Sequence, residues 1–221
     1  MLLAMGPRPL LAGDKRAPEI TPTAAIGLLV DAYHRGPVAD RVQIRVVPKN
    51  GNERRATALL RLDRGDAAGF RPRQLRLELG SLLIHADHAM LLAISRLESR
   101  SCFETELAAG LKPEQLAGVM PPLPLPQIEI AFGDDAKLQR PLLYVRDVTW
   151  NGIESKTLAS KPMYLVKGTS RAGDVTVMID QVTGRLRQFT AEITAAGSEG
   201  QMRLEVSSTP LDAGDPQTWP L

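Results

Sequence analysis

Apolar residues recur along this chain at two different periods. Ile26, Leu29, Val30 and Tyr33 stand at i, i+3, i+4 and i+7, which places them on one face of a helix. Thr21-Pro22 opens that helix, with Thr21 able to cap it and Pro22 suited to the first turn, and Gly36-Pro37 stops it. His34 falls in the last turn, where the helix dipole favours a cation. From there the period becomes two. Val42, Ile44 and Val46 alternate with their neighbours, and "PKNGNE" follows with Asn50-Gly51 as a hairpin signal. The partner strand runs from about Ala56 to Asp63, and "RGDAAG" is the next loop. Leu75, Leu77 and Leu79 alternate again until Gly80. The segments "SLLIHAD" and "AMLLAIS" then form a hairpin around Asp87-His88. A strand near Arg100 to Thr105 closes the series. Six strand-like runs joined by short polar turns predict an antiparallel sheet.

The texture then changes. "LKPEQLAGVM" predicts a short helix with Pro113 in its first turn, ended by Pro121-Pro122. "LPLPQIEIAF" fits two descriptions: Ile128, Ile130 and Phe132 alternate as in a strand, while Leu125, Ile128 and Phe132 share one helix face. A second β-series is expected from Leu142 ("LLYVRDVTW"), turning at Asn151-Gly152. It continues through 162–167, 174–179, 186–193 and 202–206. Thr183-Gly184 supplies a hairpin turn, and a shift of inward phase between Leu186 and Phe189 predicts a bulge. Residues 210–221 read as a tail, either loose or strapping Trp219 onto the sheet. Nothing repeats at a fixed period, which argues against a solenoid or propeller.

Composition narrows the function. The 221 residues are 43% hydrophobic and 24% charged, with a formal net charge of +2. These are the proportions of an ordinary globular protein able to bury a core without disulfides or metals. Aromatics make up only 4%, so the core is aliphatic. Arg71, Arg73 and Arg76 alternate with leucines, as on a solvated strand face. Without a basic block or stacking aromatics they do not predict nucleic-acid binding. Cys102 is the only cysteine and is expected to be a packed or half-packed thiol. No uncharged stretch approaches the ~20 residues that span a bilayer. "MLLAMGPRPLLAG" is apolar but lacks a basic start, and Asp14 stands where a lipidated cysteine would be. Residues 1–20 are therefore expected to be an arm or the remnant of an export signal.

Chemical motifs are few. His85 and His88 form H-x-x-H around Asp87, but on a strand and turn they point to different sides and no third ligand clusters with them. Two surface imidazoles at a hairpin are the better reading. Asp134-Asp135 reads as a loop or cap. "GTSRAG" joins two strands and does not make a phosphate loop, and no G-x-S-x-G is present. No enzyme, metal or cofactor is expected.

The layout resembles the LolA-like superfamily of outer-membrane lipoprotein carriers and their relatives, over 21–209. The resemblance is carried by "RLELGSLLIHADHAMLLAISRLESRSCFE", by "LKPEQLAGVMPPLPLPQIEIAF" as a lid-like insert at about 111–132, and by "KPMYLVKGT" followed by "VTVMIDQVTGRLRQF". It implies an α+β fold: a curved, unclosed antiparallel barrel or sheet whose concave face is covered by helices, in a single domain. It also tips "LPLPQIEIAF" toward a lid. The implied function is non-catalytic binding or carriage of a lipid or lipoprotein acyl chain in the cell envelope, by a monomer in the periplasm or another extracytoplasmic space. Leu116, Met120, Leu123, Leu125 and Ile128 are the candidate lid residues. Leu77, Leu79 and Ile84 are the candidate cavity wall. The alternative is an envelope protein-interaction or sensory module on the same fold, whose sheet edge or lid binds a protein partner, within a larger thioredoxin-like fusion.

Overall fold

The computed structural model describes residues 20–63, 74–87, 89–96, 101–107, 111, 113–119, 125–132, 148–170, 173–194, 201–212 and 214. Helix α1 (Pro22–Arg35) is followed by β1 (Val38–Pro48), β2 (Arg54–Asp63), β3 (Gln74–Leu79), β4 (Leu82–Ala86), β5 (Met90–Ser95) and β6 (Ser101–Glu106). Two short helices, α2 (Pro113–Val119) and α3 (Pro126–Phe132), come next. The chain then returns to β7 (Thr149–Leu158), β8 (Lys161–Ser170), β9 (Gly173–Asp180), β10 (Leu186–Thr194) and β11 (Gln201–Pro210). The strands form one unclosed antiparallel sheet in the order β6-β5-β4-β3-β2-β1-β11-β10-β9-β8-β7. Each series is a meander of hairpins, and pairing of β1 with β11 joins the two. The architecture is α+β.

Alternation sets which face is buried. Val42 and Ile44 on β1 share a face with Ala58 and Leu60 on β2, with Leu75 and Leu77 on β3 and with Ile84 on β4. On the other side of β1, the same face continues through Leu204 and Val206, Phe189 and Ala191, and Val175 and Val177. These residues join α1, α2 and α3 in one apolar cluster. Helix α1 turns Ala25, Leu29 and Tyr33 inward. Thr21 caps it as expected, its Oγ1 accepting from Ala24 N at 3.2 Å.

Two turns repay attention. Asp87 Oδ1 accepts from Ala89 N at 2.7 Å and Met90 N at 2.8 Å, so an acidic side chain closes the β4–β5 hairpin by bonding its own backbone. Asp180 does the same for β9–β10, accepting from Val182 N and Thr183 N, both at 3.0 Å. Burial would raise the Asp180 pKa, but those two N–H donors prevail and hold it below the usual carboxylate range. The predicted bulge is present, as a register shift between Leu186 and Gln188.

Two expectations need correction. Asn151-Gly152 does not turn: it lies inside β7, where the register shifts between Trp150 and Gly152. The reversal comes later, at Ala159 (φ 50°) and Ser160 (φ 63°). An Asn-Gly pair accommodates the distortion of a bulge as readily as a turn, so local chemistry did not separate the two. Cys102 is exposed, because β6 is the edge strand and the outward side of an edge has a neighbour on one flank only. The loop 64–69, His88, Asp134-Asp135, the strand start at 142–147, the N-terminal arm and Trp219 lie outside the described residues.

Candidate functional site

The centre of interest is the apolar cluster packed between the sheet and the short helices. Pro126 begins α3, and Leu125 O accepts from Ile128 N at 3.0 Å and Glu129 N at 3.4 Å to start its hydrogen-bond ladder. Proline suits a first turn because it has no N–H to leave unbonded there. All seven residues of α3 are buried. The ambiguous "LPLPQIEIAF" is thus a helix enclosed on every side, and its two periodicities never had to compete for a solvent face. His34 fastens α3 to α1: its Nε2 donates to Ile130 O at 2.8 Å. The histidine expected to serve only the helix dipole is a crosslink between two helices.

The structure brings most of the candidate site residues together. Leu116 of α2, Leu125, and Ile128 of α3 lie in one cluster with Leu77 and Ile84, which face each other across β3 and β4. Leu79 packs half-buried at the margin. Met120 and Leu123 lie outside the described residues. Two polar side chains share the interior, Gln127 fully buried and Glu129 2% exposed. Neither Nε2 nor Oε1 of Gln127 has a hydrogen-bond partner among the described residues.

Beside this cluster lies a polar group that the sequence pattern does not announce. Tyr33 OH donates to Asp40 Oδ2 at 2.7 Å, and Arg185 Nη2 donates to Asp40 Oδ1 and to Ala39 O, each at 2.7 Å. The guanidinium stands 5.7 Å from the Tyr33 ring centroid, within reach of a cation–π contact. Burial raises the Asp40 pKa even though Arg185 pulls it down. Burial, and then the Asp40 charge, push the Tyr33 hydroxyl well above its ordinary range. For Arg185 burial works against the charge, but Asp40 wins and its pKa rises. The one available signal is phase: Asp40 occupies an inward position two residues before Val42, where an apolar residue belongs. The trio joins α1, β1 and the β9–β10 hairpin.

The opposite face carries a groove of about 700 Å³ over the middle four strands. Its floor and walls are outward side chains of β2, β1, β11 and β10, including Thr57, Gln43, Ser207 and Gln188. Among the described residues, no three His, Cys, Asp or Glu side chains gather as a metal site. None of the described helices is long and apolar enough to cross a membrane.

An open antiparallel sheet with one face covered by helices is the class of protein these observations define. No family model matches the chain, and no curated protein matches it. Among solved structures it is similar to a LolA superfamily protein from Nitrosomonas europaea, at 9% identity over 85% of this chain and 92% of that one, with a TM-score of 0.30. It is also similar to MucB, solved in complex with MucA(peri), at 11% identity and a TM-score of 0.33 over 85% of this chain and 55% of that one. A third similarity is to an outer membrane lipoprotein-sorting protein domain from Vibrio parahaemolyticus, at 10% identity over 83% and 88% with a TM-score of 0.25.

Proposed function

We propose that this protein binds an apolar ligand, a lipid or the acyl chain of a lipidated protein, between its sheet and the α2–α3 cover, without catalysis, in the cell envelope. The observation that carries the reading is the nature of the cover. Helices α2 and α3 have seven residues each, too few to be stable alone in water. Both are held by apolar packing, and α3 also by the His34 crosslink. An acyl chain sliding under such a cover exchanges one apolar contact for another, at little net cost in buried area. Gln127 acts in the same direction. A buried amide without partners costs roughly 1–3 kcal/mol, which favours a cover able to lift. Leu116, Met120, Leu123, Leu125 and Ile128 form the lid in this reading, and Leu77, Leu79 and Ile84 the wall.

Native mass spectrometry of the purified protein, followed by solvent extraction, tests it. A co-purifying mass that partitions into organic solvent is the expected result. A clean apo mass, with no uptake of an added fatty-acyl probe, would remove the proposal and leave the envelope interaction module as the better description. Aspartate at Leu123 is expected to abolish uptake while far-UV circular dichroism is largely retained; collapse of the spectrum would make that residue ordinary core.

A further inference from the structure

The groove on the polar face of the sheet has a built-in direction of hydrogen bonding. Strand register places Thr57, Gln43, Ser207 and Gln188 side by side across β2, β1, β11 and β10. The next row is Arg55, Arg45, Glu205 and Thr190. Four adjacent strands span roughly 14 Å, about the length of four residues of extended peptide. Thr57 and Ser207 in the first row are short, Gln43 and Gln188 between and beside them are longer amides, and two arginines stand in the second row.

The carboxylates of this surface and the Gln43 carbonyl are already engaged. Arg45 donates to Glu205 Oε2 at 3.0 Å and to Glu53 Oε2 at 2.7 Å. Arg55 bonds the other oxygen of Glu53, and Arg203 Nε lies 2.9 Å from Glu205 Oε1. Gln43 Oε1 receives Ser207 Oγ at 3.4 Å. Donors remain. A guanidinium has five N–H groups, and Arg45 uses two of them in these bonds. The Gln43 amide keeps its N–H₂. Among the groove's lining residues Arg45, Arg55 and Arg203 outnumber the single carboxylate, Glu205. The two glutamates hold the arginine forks in fixed orientations, and exposed ion pairs of this kind are weak enough to share their cation with a ligand.

We propose that this groove seats a short acidic peptide segment of a partner protein, its carboxylates taken by Arg45, Arg55 and Arg203 and its main-chain carbonyls by the Gln43 and Gln188 amides. Paired N–H donors on a planar fork match a carboxylate better than a point charge does. The site lies on the face opposite the helices, so it does not depend on acyl-chain binding, and its variants leave lipid uptake unchanged.

Fluorescence anisotropy with a short fluorescein-labelled Glu/Ser peptide tests the proposal, against a control in which glutamine replaces each glutamate. Saturable binding of the acidic peptide alone is expected, weakened by salt. Arg45→Ala and Arg203→Ala each weaken it about tenfold, Arg45→Lys weakens it less, and Arg61→Ala, outside the groove, leaves it unchanged. Circular dichroism confirms that the variants fold. Absence of binding, equal binding of the glutamine peptide, or arginine variants that bind like the parent would each overturn the assignment. Displacement by inorganic phosphate at the same concentration as by unlabelled peptide would reduce the groove to a simple anion site and overturn the peptide.

Discussion

Arg185 and Asp40, 145 positions apart in the chain, meet at 2.7 Å with the carboxylate fully buried and the guanidinium side chain 15% exposed. The pair pins the β9–β10 hairpin to β1, and Tyr33 adds the C-terminal end of α1. Removing one partner of a buried pair strands the other, at about 3–5 kcal/mol. Arg185→Met is therefore expected to lower unfolding stability by that order in urea titration. The double variant Arg185→Met/Asp40→Asn should lose clearly less than the sum of the single losses. Strict additivity would mean that the two groups do not interact.

The same carboxylate gives the stability a sign against pH. Burial lifts the Asp40 pKa above its ordinary 3.8, so in that window the folded protein holds a proton that the unfolded chain has released. This contribution is present below pH 3.8 and is lost as pH rises through the folded pKa. Asp40→Asn should remove that descent from a plot of urea midpoint against pH. A difference plot that is flat throughout the acid range would refute the shift.

Glu53 works in the opposite direction. Arg45 and Arg55 pull its pKa from 4.5 down to about 2. Its contribution is present above the unfolded value and is lost as pH falls toward 2. Glu53→Gln is expected to shallow the acid-denaturation limb, and added salt should shrink the difference between the two proteins.

Gln127 offers a substitution expected to stabilise. Gln127→Met keeps the length of the side chain and removes an amide that has no partner, which should raise stability by roughly 1–3 kcal/mol. If the cover must lift for a ligand to enter, uptake of a fatty-acyl probe should slow in the same variant. A destabilised variant would mean that the amide is hydrogen-bonded in solution.

Gly184 is a close-approach glycine. Its φ is +69°, and a Cβ there would stand 2.6 Å from Leu28 O and 3.0 Å from Ala32 Cβ of α1. Gly184→Ala combines the cost of a left-handed backbone with a clash against a helix carbonyl, so a loss of about 2 kcal/mol or more is expected. A neutral result would place α1 farther from the β9–β10 turn.

Cys102 should react stoichiometrically with a thiol reagent in the native protein, because it is exposed on edge strand β6. Protection until denaturant is added would put it back among packed residues, as its sequence position predicts.

Much of this architecture was written locally. Thr21-Pro22 and Gly36-Pro37 bounded α1, the alternation around Val42 and Leu77 marked strand faces, and the bulge after Leu186 showed as a slip of phase. Such signals survive because a strand's inward set is fixed by a period of two and a helix cap by a single side chain. The sequence did not determine which positions far apart would meet. Asp40 broke the apolar phase with no hint that Arg185 would answer it, and Asn151-Gly152 could not reveal whether the chain would fold back or carry on. The groove rows were equally silent, since Thr57, Gln43, Ser207 and Gln188 are neighbours only once β1 has paired with both β2 and β11. Patterns along the chain determine what a residue prefers; register and packing between distant segments decide what it touches.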